Sequence, residues 1–207
     1  MLGDVLLIEE KHKIVGKQLA EMVLKQGNKR LIVAISGESG SGKSELSHCM
    51  AMELKGNGLK AKILHSDDYY KISPKERGQW RVDNQDKIGL DEYDWDKIEQ
   101  NIDDFKNERV ATTPSIDILT DQEDELITDF KGIDILIMDG LYAINLDSAD
   151  IRVLIDITYH NTKKAQLKRG KEKMDEMRLK VLMAEHKAVQ FIRHKATVVV
   201  SADYKIV

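Results

Sequence analysis

Gly37-Glu-Ser-Gly-Ser-Gly-Lys-Ser44 satisfies the phosphate-loop pattern G-x-x-x-x-G-K-S/T in full, directly after the apolar run Leu31-Ile-Val-Ala-Ile35. In such a loop the glycines let successive backbone N–H groups turn inward around phosphates, a lysine supplies a point charge to the outer phosphates, and a hydroxyl can ligate Mg²⁺. Residues Gly37, Glu38, Ser39, Gly40, Ser41, Gly42, Lys43, Ser44 and Glu45 are therefore the expected triphosphate contacts, with Lys43 acting on the outer phosphates and Ser44 on the metal. The helix that begins here adds its positive end. ATP with Mg²⁺ is the ligand this stretch implies.

Outward from the loop, strands and helices alternate. Residues 5–26 carry apolar side chains at Leu7, Ile14, Val15, Leu19, Met22 and Val23, which predicts an amphipathic helix ahead of the first strand. A helix from Lys43 to Lys55 is ended by Gly56-Asn-Gly58, and Ala61-Lys-Ile-Leu64 reads as a second strand, completing a βαβ unit. Helical spacing runs through Ile98, Ile102 and Phe105, and residues 111–119 and 125–130 form a short β excursion around Asp121-Gln-Glu-Asp124. Residues 133–138 and 152–157 are apolar enough for central parallel strands. The charged residues from Thr162 to His194 read as helix, and 197–201 with 204–207 as a terminal strand pair or edge strand. The expected architecture is α/β, a three-layer phosphate-loop sandwich with a mostly parallel sheet, ligands gathering at the carboxyl ends of its strands.

The 207 residues, 42% hydrophobic, suit one domain over 1–207. Within it lie the N-terminal helix 5–26, an acceptor-side excursion of about 66–130 and a helical lid of about 160–180. A formal net charge of −4 argues against a nucleic-acid face. The lone Cys49 excludes a disulfide framework and is expected to be a small buried hydrophobe. The first ten residues lack the basic start and apolar core of a signal peptide, and no apolar run reaches transmembrane length, so the expectation is a cytoplasmic protein that binds neither membrane nor nucleic acid.

The chemistry-bearing residues follow strands. His65-Ser66-Asp67-Asp68-Tyr69-Tyr70 places two carboxylates and two phenols at the ligand edge, and one carboxylate can take the proton of an attacking hydroxyl. The alternative is an acidic turn that caps the next segment. Asp139, after a hydrophobic run, is placed to hold Mg²⁺. Lys163, Lys164, Lys168, Arg169, Lys171, Lys173 and Arg178 form a dense basic stretch. Such a run is usually a solvated face; beside an anchored triphosphate it can instead deliver an arginine to the transferring phosphate, with Arg169 the first choice and Arg178 the second. Of the six histidines only His65 falls near this site; the others read as capping or packing residues.

In this order the landmarks resemble the uridine kinase and phosphoribulokinase family of phosphate-loop kinases, from about Leu31 to Val207. In that family the strand after the loop ends in an Asp-x-Phe/Tyr-Tyr element whose first aspartate is the base, so the resemblance assigns the base to Asp67 and a substrate contact to Tyr70. It matches a sugar-binding aspartate to Asp91, with Asp94 as alternative, the Mg²⁺-linked acid to Asp139, and the lid to Gln166-Leu-Lys-Arg169 onward, with Arg169 and Arg178 on the substrate. Where uridine kinases carry an aromatic, a histidine and an arginine after the proline of the excursion, this chain has Ile116, Asp121 and Glu123. The resemblance implies phosphorylation of a hydroxyl on a small metabolite, a nucleoside such as uridine first, with nicotinamide riboside, a sugar or adenylylsulfate as other acceptors. A nucleotide-binding regulatory protein with little turnover is the reading from another class, although Asn-Lys-x-Asp, the mark of guanine-specific switches, is absent. Family members often form oligomers, and that expectation carries over.

Overall fold

The central strands of the main sheet are apolar runs covered on both faces. In a computed structural model, which describes residues 5–27, 30–117, 119–162 and 176–207, the strands of this sheet are β1 (Leu31–Gly37), β2 (Ala61–His65), β5 (Ile135–Asp139), β6 (Ile151–Ile155) and β7 (Val198–Val200). They pair in parallel in the order β2-β5-β1-β6-β7. Every residue of β1 and β5 is buried, as a parallel strand under helices on both sides requires. β1 lies between β5 and β6, so the chain leaves it where the strand order reverses direction, and the phosphate loop opens into that crevice.

Alternation along β1 divides the core. Leu31, Val33 and Ile35 pack with Val15, Leu19 and Val23 of α1 (Glu10–Gln26) and Leu46, Met50 and Leu54 of α2 (Lys43–Gly56). Ile32 and Ala34 face the other way, onto Ile98, Ile102 and Phe105 of α4 (Trp95–Lys106) and onto Phe130. Each of these Val, Leu, Ile, Met and Phe side chains, fully buried, contributes about 1.5–3 kcal/mol. Val189 and Ile192 of α5 (Glu176–Ile192) close a third cluster with Tyr93, Tyr142 and Leu154. Cys49 is buried, as expected. Among the described residues, no helix is long and apolar enough to cross a membrane.

Several elements differ from the sequence reading. The first helix starts at Glu10 rather than residue 5, because Glu9 and His12 form a reciprocal cap there, with Glu9 N–H donating to His12 Nδ1 at 2.9 Å. The extended residues before it are tied to α2 instead, Leu7 N–H donating to Glu45 Oε1 at 3.1 Å. The excursion also contains a helix the periodicity did not reveal, α3 (Pro74–Asp83), which has no fully buried residue and so shows no apolar stripe. Its signal was a start signal, Ser73 before Pro74, with the Ser73 hydroxyl donating to Glu76 at 3.0 Å. The β excursion is an antiparallel hairpin of β3 (Val110–Asp117) and β4 (Gln122–Asp129), so Gln122, Glu123 and Asp124, expected in the turn, pair with β3 instead. Residues 163–175 of the expected lid, including Lys163, Lys164, Lys168, Arg169, Lys171 and Lys173, lie outside the described residues.

Candidate active site

The phosphate loop joins β1 to α2 through left-handed backbone at Gly40 (φ 78°) and Gly42 (φ 94°), a conformation that favours glycine. α2 begins with no side-chain cap on Gly42, which leaves its first amides for an anion. Lys43 Nζ donates to the Glu38 carbonyl at 3.3 Å, and Ser41 N–H to the same carbonyl at 3.1 Å. The loop is held from outside on both flanks. Tyr204 Oη donates to the Gly42 carbonyl at 3.2 Å, beside His12, which the ring meets edge-on. Thr162 Oγ1 donates to the Ser39 carbonyl at 2.7 Å, and Arg178 Nη2 to Ser39 Oγ at 3.4 Å.

Two of the expected nucleotide contacts have side chains that serve the protein instead. The buried Glu38 carboxylate accepts from Tyr159 N–H at 2.6 Å and pairs with His186 Nδ1 at 2.6 Å; Glu45 binds Leu7. His65 is accordingly not the only histidine at the site. His186 and His12 both border the phosphate loop, the first through Glu38, the second beside Gly42. Their places in sequence, on the first and last long helices, gave no hint of this.

Across the crevice, β2 and β5 end side by side, with His65 in register with Asp139. The close approach needs glycine at 140, where a Cβ would fall 1.7 Å from Ser66 Oγ. His65 Nδ1 donates to Asp139 Oδ1 at 3.1 Å. Burial pushes the Asp139 carboxyl up, but the His65 hydrogen bond and charge, the Lys43 ammonium and the Ser44 hydroxyl outweigh it and hold the group below the usual carboxylate range. Burial works downward on His65, and Asp139 reverses it, so the imidazole titrates above its ordinary value. Asp139 Oδ2 is buried without a well-formed hydrogen bond. An ionised carboxylate with one oxygen uncommitted, close to the Ser44 hydroxyl, fits the needs of a hard divalent cation. Among the described residues, no three His, Cys, Asp or Glu cluster into a metal site of their own.

The two aspartates after β2 have separate surroundings. Asp67 Oδ1 accepts from the Tyr93 hydroxyl at 2.9 Å, and that hydroxyl lies 2.7 Å from the Tyr70 hydroxyl. Asp68 Oδ1 accepts from Ile116 N–H at 3.2 Å, which ties the turn to the hairpin, and burial raises its carboxyl above the ordinary range. Tyr69 is structural: it is buried and donates to Asn101 at 2.9 Å. Arg77 lies over the Tyr70 ring, 3.6 Å from its centroid.

Asp91 is exposed on a short turn, with its carbonyl accepting from Lys71 at 3.3 Å, and Asp94 caps α4 by accepting Lys97 N–H at 3.0 Å. The buried acid of that segment is Glu92, paired with Arg81 at 2.6 Å. Ile116 is buried, whereas Asp121 sits in the hairpin turn at φ 54° and Glu123 is exposed on β4.

Comparison with known proteins agrees with this arrangement. The model of the phosphoribulokinase / uridine kinase family matches residues 32–192. A uridine kinase of Staphylococcus aureus is 26% identical over 132 residues, covering 60% of this chain and 61% of that protein. The chain thus spans 61% of the length of the curated relative it matches. D-glycerate 3-kinase from Cryptococcus neoformans superposes with a TM-score of 0.64 at 16% identity, over 93% of this chain and 97% of that one. Phosphoribulokinase from Rhodobacter spheroides does so with a TM-score of 0.60 at 12% identity, over 84% and 70%. With a family match across most of its length and the phosphate-loop fold beneath it, the chain belongs to the phosphoribulokinase / uridine kinase family.

Proposed function

We propose that the protein is an ATP-dependent kinase that phosphorylates a hydroxyl group on a small metabolite. The observation that carries this reading is the meeting of three groups at one sheet edge: the uncapped phosphate loop, the ionised Asp139, and Asp67 held by a phenol. The loop amides and Lys43 bind the β and γ phosphates, and Asp67 takes the proton of the acceptor hydroxyl as its oxygen bonds to the γ phosphorus and ADP leaves. Tyr93 orients the Asp67 carboxylate toward that proton. Ser44 and Asp139 are the residues that would hold Mg²⁺, which when bound neutralises charge on the phosphates. Arg178, beside Ser39, is on the nucleotide side of the cleft; Arg169, outside the described residues, remains the sequence-based candidate for the transferring group.

The acceptor is a nucleoside such as uridine in the first instance, by analogy with the matched uridine kinases; a sugar or hydroxy acid follows, since a glycerate kinase shares the fold. The test is ADP formation with ATP and Mg²⁺ against a panel of uridine, cytidine, nicotinamide riboside, pentoses, glycerate and adenylylsulfate. One acceptor is expected to raise turnover well above the acceptor-free rate. ATP binding with no turnover on any of them would favour a regulatory nucleotide-binding protein.

A further inference from the structure

A chain of buried polar contacts runs from the phosphate loop to Asp67 through a single side chain of α3. Arg81 has its guanidinium largely buried, at 12% exposure, against Glu92 at 0% and Glu185 at 5%. Nε donates to Glu92 Oε1 at 2.6 Å, and Nη2 to Glu92 Oε2 at 3.2 Å and to the Tyr70 hydroxyl at 3.4 Å. Nη2 is also 3.5 Å from Glu185 Oε1 on α5. Glu185 Oε1 lies 3.7 Å from Arg178 Nη1, and Arg178 reaches Ser39 of the loop. In the other direction Tyr70 meets Tyr93, and Tyr93 meets Asp67.

Two cations and two carboxylates removed from water are a poor way to stabilise a fold, since well-packed apolar side chains of like volume usually do as well or better. What the planar guanidinium fork supplies is fixed geometry among three segments at once: the turn after β2, the turn carrying Glu92, and α5. α5 also carries His186, whose partner Glu38 is in the loop, so the helix grips the loop at two points. We propose that Arg81 is a positioning residue that couples occupancy of the phosphate loop to the placement of Asp67. The inference rests on nucleotide binding by that loop, as in the proposed function, but not on turnover.

Hydrogen exchange with and without adenylyl imidodiphosphate and Mg²⁺ tests it. The reporters are Lys71 N–H, bonded to the Glu92 carbonyl, and Asp94 N–H, bonded to the Tyr69 carbonyl, both at 2.8 Å; the loop control is Leu46 N–H, bonded to the Gly42 carbonyl at 2.9 Å. In the wild type, nucleotide should slow exchange at both reporters by about fivefold or more, whereas in Arg81→Met they change by less than about twofold while Leu46 is still protected. A purely structural role would raise reporter exchange with and without nucleotide alike and keep the nucleotide effect. Reporters that respond equally in the variant, or do not respond in the wild type while Leu46 does, overturn the coupling. No protection of Leu46 in the wild type overturns the nucleotide reading and the coupling with it. Should Arg81→Met fail to fold, Arg81→Lys, which keeps the charge and loses the fork, and Glu185→Gln, which weakens the link to α5, are judged by the same criteria.

Discussion

Gly140→Ala probes the close contact between the chain segments that follow β2 and β5. The added Cβ would stand 1.7 Å from Ser66 Oγ, 2.8 Å from Ser66 Cβ and 3.5 Å from Ser66 N. The Ser66 hydroxyl makes no hydrogen bond, so rotating it away loses none. The contact with Ser66 Cβ survives any rotation and is relieved only if the strand ends move apart. Overpacking of this kind costs about 2 kcal/mol, within a usual range of ~1–3, and in a protein of this size lowers Tm by about 4–8 °C. Because Asp139 precedes Gly140 and Asp67 follows Ser66, a shift of about 1 Å should lower kcat by ~100-fold, beyond the loss of stability. Compensation makes the test specific. Ser66→Gly removes both clashing atoms and leaves an ordinary contact with Ser66 N, whereas Ser66→Ala removes only the hydroxyl. Thermal melting and ADP formation should show Gly140→Ala rescued by Ser66→Gly to within about 1 kcal/mol, the cost of the extra glycine, and only partly by Ser66→Ala. A Gly140→Ala protein melting within about 1 °C of wild type, or a Ser66→Gly background without rescue, would refute this account of the strand ends.

At the phosphate loop, Gly42→Ala would put a Cβ on left-handed backbone, costing ~1–2 kcal/mol, and 2.8 Å from Tyr204 Oη and 2.9 Å from His12 Nε2. Calorimetry should find a lower Tm and weaker ATP binding together; unchanged ATP affinity would mean the loop does not need this conformation. Asp156 accepts from both terminal nitrogens of Arg193, whose hydrogen bonds hold its carboxyl below the ordinary 3.8. A depressed carboxylate contributes stability that is present above the unfolded-state value and lost as pH falls through the folded-state one. Arg193→Gln should therefore lower Tm at neutral pH, and the gap to wild type should close as the pH drops below 3.8. A gap that persists unchanged in acid would assign the effect to packing.

The parallel sheet, the loop and α2 were legible because each is written locally: β1 and β5 as unbroken apolar runs, the loop as fixed residue types at fixed spacing. The hairpin was legible from its flanking β-type runs, but its acidic turn was read too long, Gln122, Glu123 and Asp124 pairing within β4. α3 was not, because a helix with no fully buried residue leaves no periodic trace, and only Ser73-Pro74 announced it. Glu92, the buried acid next to Asp91, was not singled out, since a short turn carries no period from which to read which of its acids points inward. The Arg81, Glu92 and Glu185 cluster joins residues up to 104 positions apart, with no local pattern to mark them. Glu38 shows the opposite limit. Its place is given by the motif, but the direction of its side chain depends on His186 and Tyr159, both far along the chain.

In the proposed reaction Asp67, held by Tyr93, takes the acceptor's proton while the loop holds ATP. The measurement that reaches it most directly is phosphoryl transfer by Asp67→Asn to whichever acceptor the panel identifies, with ATP affinity determined on the same protein. Transfer should fall by ~10²–10⁴-fold with ATP affinity nearly unchanged. Transfer at the wild-type rate by Asp67→Asn would contradict it.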